Sequence, residues 1–551
     1  DSSSNHGTTL LYGGGGGSQT NTNAEQLVYI SSNNLASSYK GGLGGCSIGW
    51  YMYTSSRYRD QTGWMHIVAT WDGTQSGDSN RLKFYVNGEQ RSFNSCGSTG
   101  AGYQYNNKSG KTQYMGRQDA GSGPYYSNHY LAEVYFIDGT VYTPSDFIET
   151  NSDTGVFVPK NSTDVLSDIT LGNNGGYYNF SDSSDLGKDH SSNSNDFTAH
   201  NFSTSGNTND QKTDTPTNNK AVLNSLTNWT YNATLSEGNL KMSGSSGFKE
   251  ISTIPVGGTD KFYFEVVNTA RNGWQLLGVF LHDCYTSPTP FDLSNPSSTL
   301  TDSRVYAFAS TQATYFGGSY TSTSDVPSWT NNDVMGIKYE NGTLKLYKNG
   351  TLATATTSSV PTSGEVFAYI GNDNQSATAY VRFNKDEWTQ ATAAGVDEDW
   401  ELSQNRLSTP TIQNPRDHFD ILEWSGNDGS QTISGLAFQP DLVWVKADRG
   451  GENHFLTDSV RGAGHRLQPN ISGSESDRSN EFTSFTSDGF TLNTTHNELN
   501  GGGVNFYAWC WKGGTSFSNS AGSNGASIAS SGKVNADAGL SIVSYTGNAT
   551  S

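Results

Sequence analysis

The residues best placed by type and spacing to do chemistry in this 551-residue chain are carboxylates. Glu475, Asp477 and Glu481 fall within the eight-residue run Ser-Glu-Ser-Asp-Arg-Ser-Asn-Glu. Two acids on one strand, spaced Glu-x-Asp-x-Glu or the bulged Glu-x-Asp-x-x-Glu, would aim both carboxylates at one glycosidic bond. Neither spacing occurs, and the intervening Ser, Arg and Asn read as a solvated loop. A second acidic series, Asp182, Asp185 and Asp189 with Asp196 beyond, offers the hard oxygen ligands calcium prefers, although its spacing is not that of an EF-hand loop. The competing reading is a polar segment whose Asp and Asn side chains make Asx turns. The ten histidines form no His-x-His or His-Glu-x-x-His pair, so two metal ligands do not converge on one face. His66 lies inside a β pattern and reads as a sheet histidine.

Binding chemistry has one better candidate. A sugar site needs an aromatic face for the C–H surface and amides or carboxylates for the hydroxyls. Tyr125, Tyr126 and Asn128, within Tyr125-Tyr126-Ser127-Asn128-His129, combine these; the alternative is that the tyrosines cover a sheet edge. Cys46 and Cys96 fall in one expected domain and either pair or remain buried thiols. Four cysteines in 551 residues do not make a disulfide scaffold. A formal charge of −20 repels a phosphate backbone, which excludes nucleic acid as an expected partner. No apolar run approaches the roughly 20 residues a membrane span requires, so membrane insertion is not expected. No cofactor is expected beyond a structural calcium.

These residues must be positioned by strands. Charged residues make up only 15%, and Ser, Thr, Asn and Gly supply the polarity, a composition that favours turns and sheets over helices. Alternating strands that end in Asn-Gly recur: Leu82 to Val86 runs into Asn87-Gly88, and Leu344 to Lys348 runs into Asn349-Gly350. Asn-Gly suits the left-handed pair of a two-residue hairpin. Trp64, Trp71, Phe84, Phe264 and Leu346 are the expected core anchors. The expected architecture is all-β: serial antiparallel β-sandwich domains of jelly-roll or concanavalin A-like form, joined by polar linkers. Residues 1–26, with the run Gly13 to Gly17, form a lead-in; 27–160 the first sandwich; 161–220 an Asn/Asp/Ser-rich connector; 221–408 a second sandwich; 409–514 a third β-rich module; and 515–538 a linker. Residues 540–548 repeat 419–427 at an offset of 121, so 539–551 is expected to begin a further module and the natural chain to run on.

Several segments resemble known families. Gly63 to Asp72 followed by Arg81 to Gly88 resembles the laminin-G-like and concanavalin A-like lectins. Arg59-Asp60, Leu131 to Gly139, Thr143 to Phe147, Gly175 to Phe197 and Asp214 to Asn219 are similar to the version found in structural proteins of tailed bacteriophages. Asn331 to Tyr339, with the double Asn-Gly hairpin and the strands Phe262 to Val266 and Leu277 to Val279, resembles a SPRY domain, a two-sheet sandwich used in protein recognition. Phe438 to Lys446 and the close Ala508-Trp509-Cys510-Trp511-Lys512 resemble repeated modules of marine-phage virion proteins.

These resemblances imply a non-enzymatic virion protein, extracellular and on the particle surface. It would be a tail or capsid fibre that presents lectin-like domains to host-surface glycan. Expected partners are its own copies, as a trimer, and other virion proteins. The alternatives are a secreted bacterial adhesin or cell-surface binding protein, and a polysaccharide depolymerase, for which the carboxylate pair is missing.

Overall fold

In the 221–408 region, aromatic and β-branched residues alternate across long strands, and two antiparallel sheets of seven strands result. Lys261–Arg271 pairs with Val334–Glu340 on one side and Ala377–Arg382 on the other. Successive side chains on a strand point to opposite faces. Phe262, Phe264 and Val266 therefore turn inward to Met335, Ile337, Tyr339, Leu344 and Leu346, all fully enclosed. The second sheet contributes Leu277, Val279, Phe308, Val366, Ala368 and Ile370 to the same core. The region's ends are tied together: the Ala221 amide donates to the Leu402 carbonyl at 2.7 Å, and Lys220 is ion-paired with Glu401.

The computed structural model describes residues 8–13, 25–31, 34–39, 50–54, 58, 63–96, 113–120, 123–126, 129–151, 157–206, 209–226, 233–245, 248–282, 303–357, 359–372, 376–406, 412, 414–523, 525 and 527–547. Two units result, one of residues 1–149 and 157–407, the other of 150–156 and 408–551. Among the described residues no helix is long and apolar enough to cross a membrane.

The first unit opens with a six-stranded antiparallel sheet and a three-stranded sheet of Ile67–Trp71, Leu82–Val86 and Glu89–Arg91. The Asn87-Gly88 turn has φ of 49° and 83°, the left-handed pair that joins two strands without splaying them. Leu82, Phe84 and Val86 are buried by strict alternation. Trp64 and Trp71, expected as core anchors, are half-buried. Neither alternates into the enclosed row: Trp64 precedes the strand, and Trp71 ends a strand whose residues are all partly exposed.

Residues 161–220, expected as a connector, are folded. The helix Ser162–Asp168 is capped by Asn161, whose Oδ1 accepts the Thr163 amide at 2.8 Å. Gly176–Tyr178 pairs with Val134–Phe136, and Tyr177 stacks on Tyr135 at 4.5 Å. Val165, Ile169 and Leu171 make a small core with Phe147. Residues 182–197 then pack through side chains bonded to backbone. The Asn193 amide donates to the carbonyls of Gly172 and Gly175, and that of Asn195 to those of Asn173 and Gly175.

The second unit sets a six-stranded sheet containing Phe419–Ser425, Asn505–Trp511 and Leu442–Ala447 against a three-stranded sheet of Gly429–Ser434, Gly489–Thr494 and Phe482–Thr486. Trp424, Phe455, Phe482, Phe490 and Phe506 fill the space between them. The segment 515–538, expected as a linker, carries Thr515–Asn519 and Ser530–Asn535, which pair with each other, and Ser530–Asn535 pairs on its other edge with Leu540–Tyr545. Its Ser and Gly content reads as flexible, yet each strand finds a ladder. Lys533 Nζ also lies 2.5 Å from Asp441 Oδ1.

Candidate recognition surface

One end of the two-sheet sandwich is held by a buried polar network. The strands Lys261–Arg271 and Gln275–His282 belong to the two different sheets and are joined by a short connection, which brings Asn268 and Gln275 together in the interior, both fully enclosed. Buried amides must satisfy their hydrogen bonds. Asn268 Nδ2 donates to Gln275 Oε1 at 3.0 Å, and Gln275 Nε2 returns to Asn268 Oδ1 at 2.8 Å. The Trp329 indole N–H donates to the same Gln275 oxygen at 3.0 Å. Ser310 Oγ accepts the Gln275 amide at 2.9 Å and Arg271 Nη1 at 2.8 Å. Arg271 Nη2 reaches the Trp329 carbonyl at 2.5 Å. Three separate connections are thus fixed to one another: the 271–275 link between the sheets, the turn at Ser310 and the segment around Trp329.

The network holds an aromatic ladder at the surface. Trp274, half-buried in the link between the sheets, stacks on Tyr315 at 5.8 Å with 9° between the ring planes. Tyr315 meets Tyr320 edge-on at 5.2 Å, and Tyr320 stands 52% exposed on Ser319–Ser322, where every residue is exposed. Burial pushes the Tyr315 hydroxyl above its ordinary range, with Tyr320 adding to it. Ser322 shares the Tyr320 face of its strand, and Thr311 and Gln312 occupy the turn before Tyr315; all three are exposed and none is ionisable. Such a surface can stack against a flat apolar face and exchange hydrogen bonds with neutral groups.

The sequence-predicted residues are placed elsewhere. Tyr126 is 61% exposed on Gly123–Tyr126, opposite Arg117 across a two-stranded ribbon. The Tyr125 side chain and Asn128 lie outside the described residues, as do Cys46 and the Cys96 side chain. Asp182 accepts the amide and hydroxyl of Ser184, and Asp185 the amide of Gly187. Asp189 accepts the amides of Tyr177, Ser191 and Asn195. Each carboxylate closes its own turn, and among the described residues no group of three or more His, Cys, Asp or Glu could hold a metal ion.

The acids of the 474–481 run are also separately engaged. Glu475 takes Arg461 at 2.9 Å and His465 at 3.0 Å, which hold its carboxyl below the usual range. Asp477 caps the Ser479 amide, and Glu481 pairs with Arg478 at 2.8 Å. The buried Cys510 thiol is pushed up to about 12, chiefly by desolvation, and is not a nucleophile.

The ladder is not legible in the sequence because Trp274 comes from a connecting segment, Tyr315 and Tyr320 come from two strands some forty residues later, and none sits in a motif. The available signal was local. Trp274 directly follows an Asn-Gly turn, and Tyr320 is a lone aromatic among Gly, Ser and Thr.

Residues 261–384 match the SPRY domain family, and residues 414–551 match a domain of unknown function, DUF7483. No curated protein matches the chain. Among solved structures, the SPRY domain of human HERC1 is similar at 15% identity over 26% of this chain and 87% of that one, with a TM-score of 0.20. The PSpry domain of TRIM65 is similar at 9% identity over 30% and 90%, with a TM-score of 0.22. Stonustoxin is similar at 17% identity over 30% and 27%, also with a TM-score of 0.22.

Proposed function

We propose that this chain is a non-enzymatic binding protein displayed on the outside of a virion, as part of a tail or capsid fibre, where it adsorbs to uncharged glycan on a host surface. The SPRY match supports a binding module at residues 261–384. The observation that carries the reading is the rigidly mounted ladder of Trp274, Tyr315 and Tyr320, together with the exposed, non-ionisable Thr311, Gln312 and Ser322. With a chain charge of −20, an anionic envelope offers little attraction, so stacking and neutral hydrogen bonds are the interactions left to provide affinity. The virion assignment rests on the resemblance of the segments 131–147 and 175–197 to phage structural proteins. It carries with it a symmetric trimer and contacts with other virion proteins, so that weak single sites add by avidity.

The test is a glycan array probed with the full chain and with Tyr320→Ala and Tyr126→Ala, at low and at high ionic strength. The expected result is binding that tolerates salt and falls at least tenfold in Tyr320→Ala. Absence of glycan binding, together with capture of a defined protein ligand that Tyr320→Ala abolishes, would replace the glycan by a protein partner. Loss of all binding on raising salt would overturn neutral recognition itself.

A further inference from the structure

The strand Leu540–Tyr545 is built for neighbours that the described chain does not give it. Its sequence follows Phe419–Ser425 at the constant offset of 121: Phe419/Leu540, Ile421/Ile542, Leu422/Val543, Trp424/Tyr545, Ser425/Thr546 and Gly426/Gly547. In the first copy, Leu422 and Trp424 are 8% and 7% exposed. They reach the core beside Asn505–Trp511, with Trp424 stacked on Phe506 at 5.3 Å and edge-on to Phe490 at 5.6 Å. In the second copy, the same two positions, Val543 and Tyr545, are 49% and 65% exposed. Ser530–Asn535 pairs along one edge of this strand, and no described strand pairs along the other.

The glycines agree with the apolar positions. A Cβ at Gly426 would lie 2.1 Å from the Gly501 carbonyl oxygen and 2.8 Å from the Asn500 carbonyl carbon, so close backbone approach requires glycine there. At Gly547 a Cβ would meet nothing within 4 Å. Three positions therefore keep residue types that packing demands in the first copy, although among the described residues Val543, Tyr545 and Gly547 stand exposed in the second. An apolar face that turns outward without partners is an interaction surface by the same physics that buries its equivalent.

The geometry points to Val543, Tyr545 and Gly547 as the docking face for the counterpart of residues 498–513 in a further copy of the module: an Asn-Gly turn laid on Gly547 and an alternating strand laid along the open edge. Docking in this register would reproduce the pairs Leu422 with Ala508 and Trp424 with Phe506 at positions 543 and 545. Successive modules would then join through the sheet of Thr515–Asn519, Ser530–Asn535 and Leu540–Tyr545, which belongs to both neighbours at once. This assignment is independent of what the chain binds through the SPRY domain.

The experiment uses the full chain and a synthetic peptide of residues 498–513 under reducing conditions, with amide hydrogen exchange as the readout. Saturating peptide should slow exchange across 540–545 at least tenfold and leave 515–519 unchanged. Tyr545→Ala should weaken the effect at least tenfold. Gly547→Val, for which the fold has free space, should abolish peptide uptake while the chain's own exchange pattern stays as it is. Unchanged exchange at saturating peptide would overturn the assignment. So would uptake indifferent to Gly547→Val. Strand protection that appears without peptide and vanishes on dilution would give the face to a second chain's edge and overturn it as well.

Discussion

Glu265 and Arg382 form an ion pair at 3.0 Å across adjacent strands, with the glutamate side chain wholly enclosed and the arginine 15% exposed. The carboxylate does more than pair. Its two oxygens also accept the amides of Thr389 and Gln390, the Thr389 hydroxyl and the Tyr263 hydroxyl, so one buried charge fastens the 385–400 segment onto the outer face of the sheet.

Removing that charge should release the segment. Glu265→Ala removes the ion pair and leaves the Thr389 and Gln390 amides without this acceptor, and is expected to cost about 3 to 5 kcal/mol, the range for breaking a buried pair from one side. Denaturant unfolding followed by Trp388 and Trp400 fluorescence checks it, because both indoles pack in the cluster that the segment covers. Glu265→Gln keeps the acceptor oxygen and should recover part of the loss.

The network under the aromatic ladder makes a second case. Gln275→Leu leaves the Asn268 amide and the Trp329 N–H without their acceptor, and a buried unsatisfied group costs about 1 to 3 kcal/mol. A loss of about 2 to 4 kcal/mol is expected, with faster amide exchange at 310–312 and 329–333. If the variant unfolds cooperatively at wild-type denaturant concentration, the network does not hold the loops.

Acid should weaken the three-stranded sheet of Ile67–Trp71, Leu82–Val86 and Glu89–Arg91. Desolvation lowers His66 and His129 from 6.5 to about 4, and among the described residues neither ring nitrogen of His129 has a hydrogen-bond partner. With folded values below unfolded ones, the unfolded chain binds protons first as pH falls. The stabilisation is therefore complete above pH 6.5 and is lost between about 6.5 and 4, at up to roughly 3 kcal/mol for each histidine. Amide exchange of Ile67–Trp71 and Leu82–Val86, followed from pH 7 to 4.5, should accelerate, and His66→Gln should flatten the response.

How far the sequence discloses this molecule depends on how each part is held. Phe84, Phe264 and Leu346 are buried on alternating strands, and the Asn87-Gly88 turn adopts the conformation its residue types favour, because periodicity and turn chemistry are local. Residues 161–220 and 515–538 read as linkers for the opposite reason. Their order comes from Asp189, Asn193 and Asn195 bonding to distant backbone and from Lys533 meeting Asp441, pairings that composition registers only as polarity. The ladder of Trp274, Tyr315 and Tyr320 exists only once the connection at 272–274 is set beside the strands Ala313–Phe316 and Ser319–Ser322, and no short window of sequence contains all three.

The joint at Asp441 supplies the last prediction. Asp441 Oδ1 takes Lys533 at 2.5 Å and the Ser459 hydroxyl at 2.6 Å, while Oδ2 takes the Gly513 amide at 2.7 Å. The carboxylate side chain is 7% exposed and the ammonium 23%. One acid thus anchors the 515–545 sheet to the module before it. Because Lys533 retains some water, Asp441→Ala should cost about 2 to 3 kcal/mol, below the full range for an enclosed pair. The loss should be local: limited proteolysis within 520–528 should speed up and exchange across 530–535 should rise, while Asn505–Trp511 stays protected. Lys533→Met leaves Asp441 with Ser459 and Gly513 and should have the smaller effect. Equal cleavage of wild type and Asp441→Ala would mean that the sheet is held by its own ladder alone.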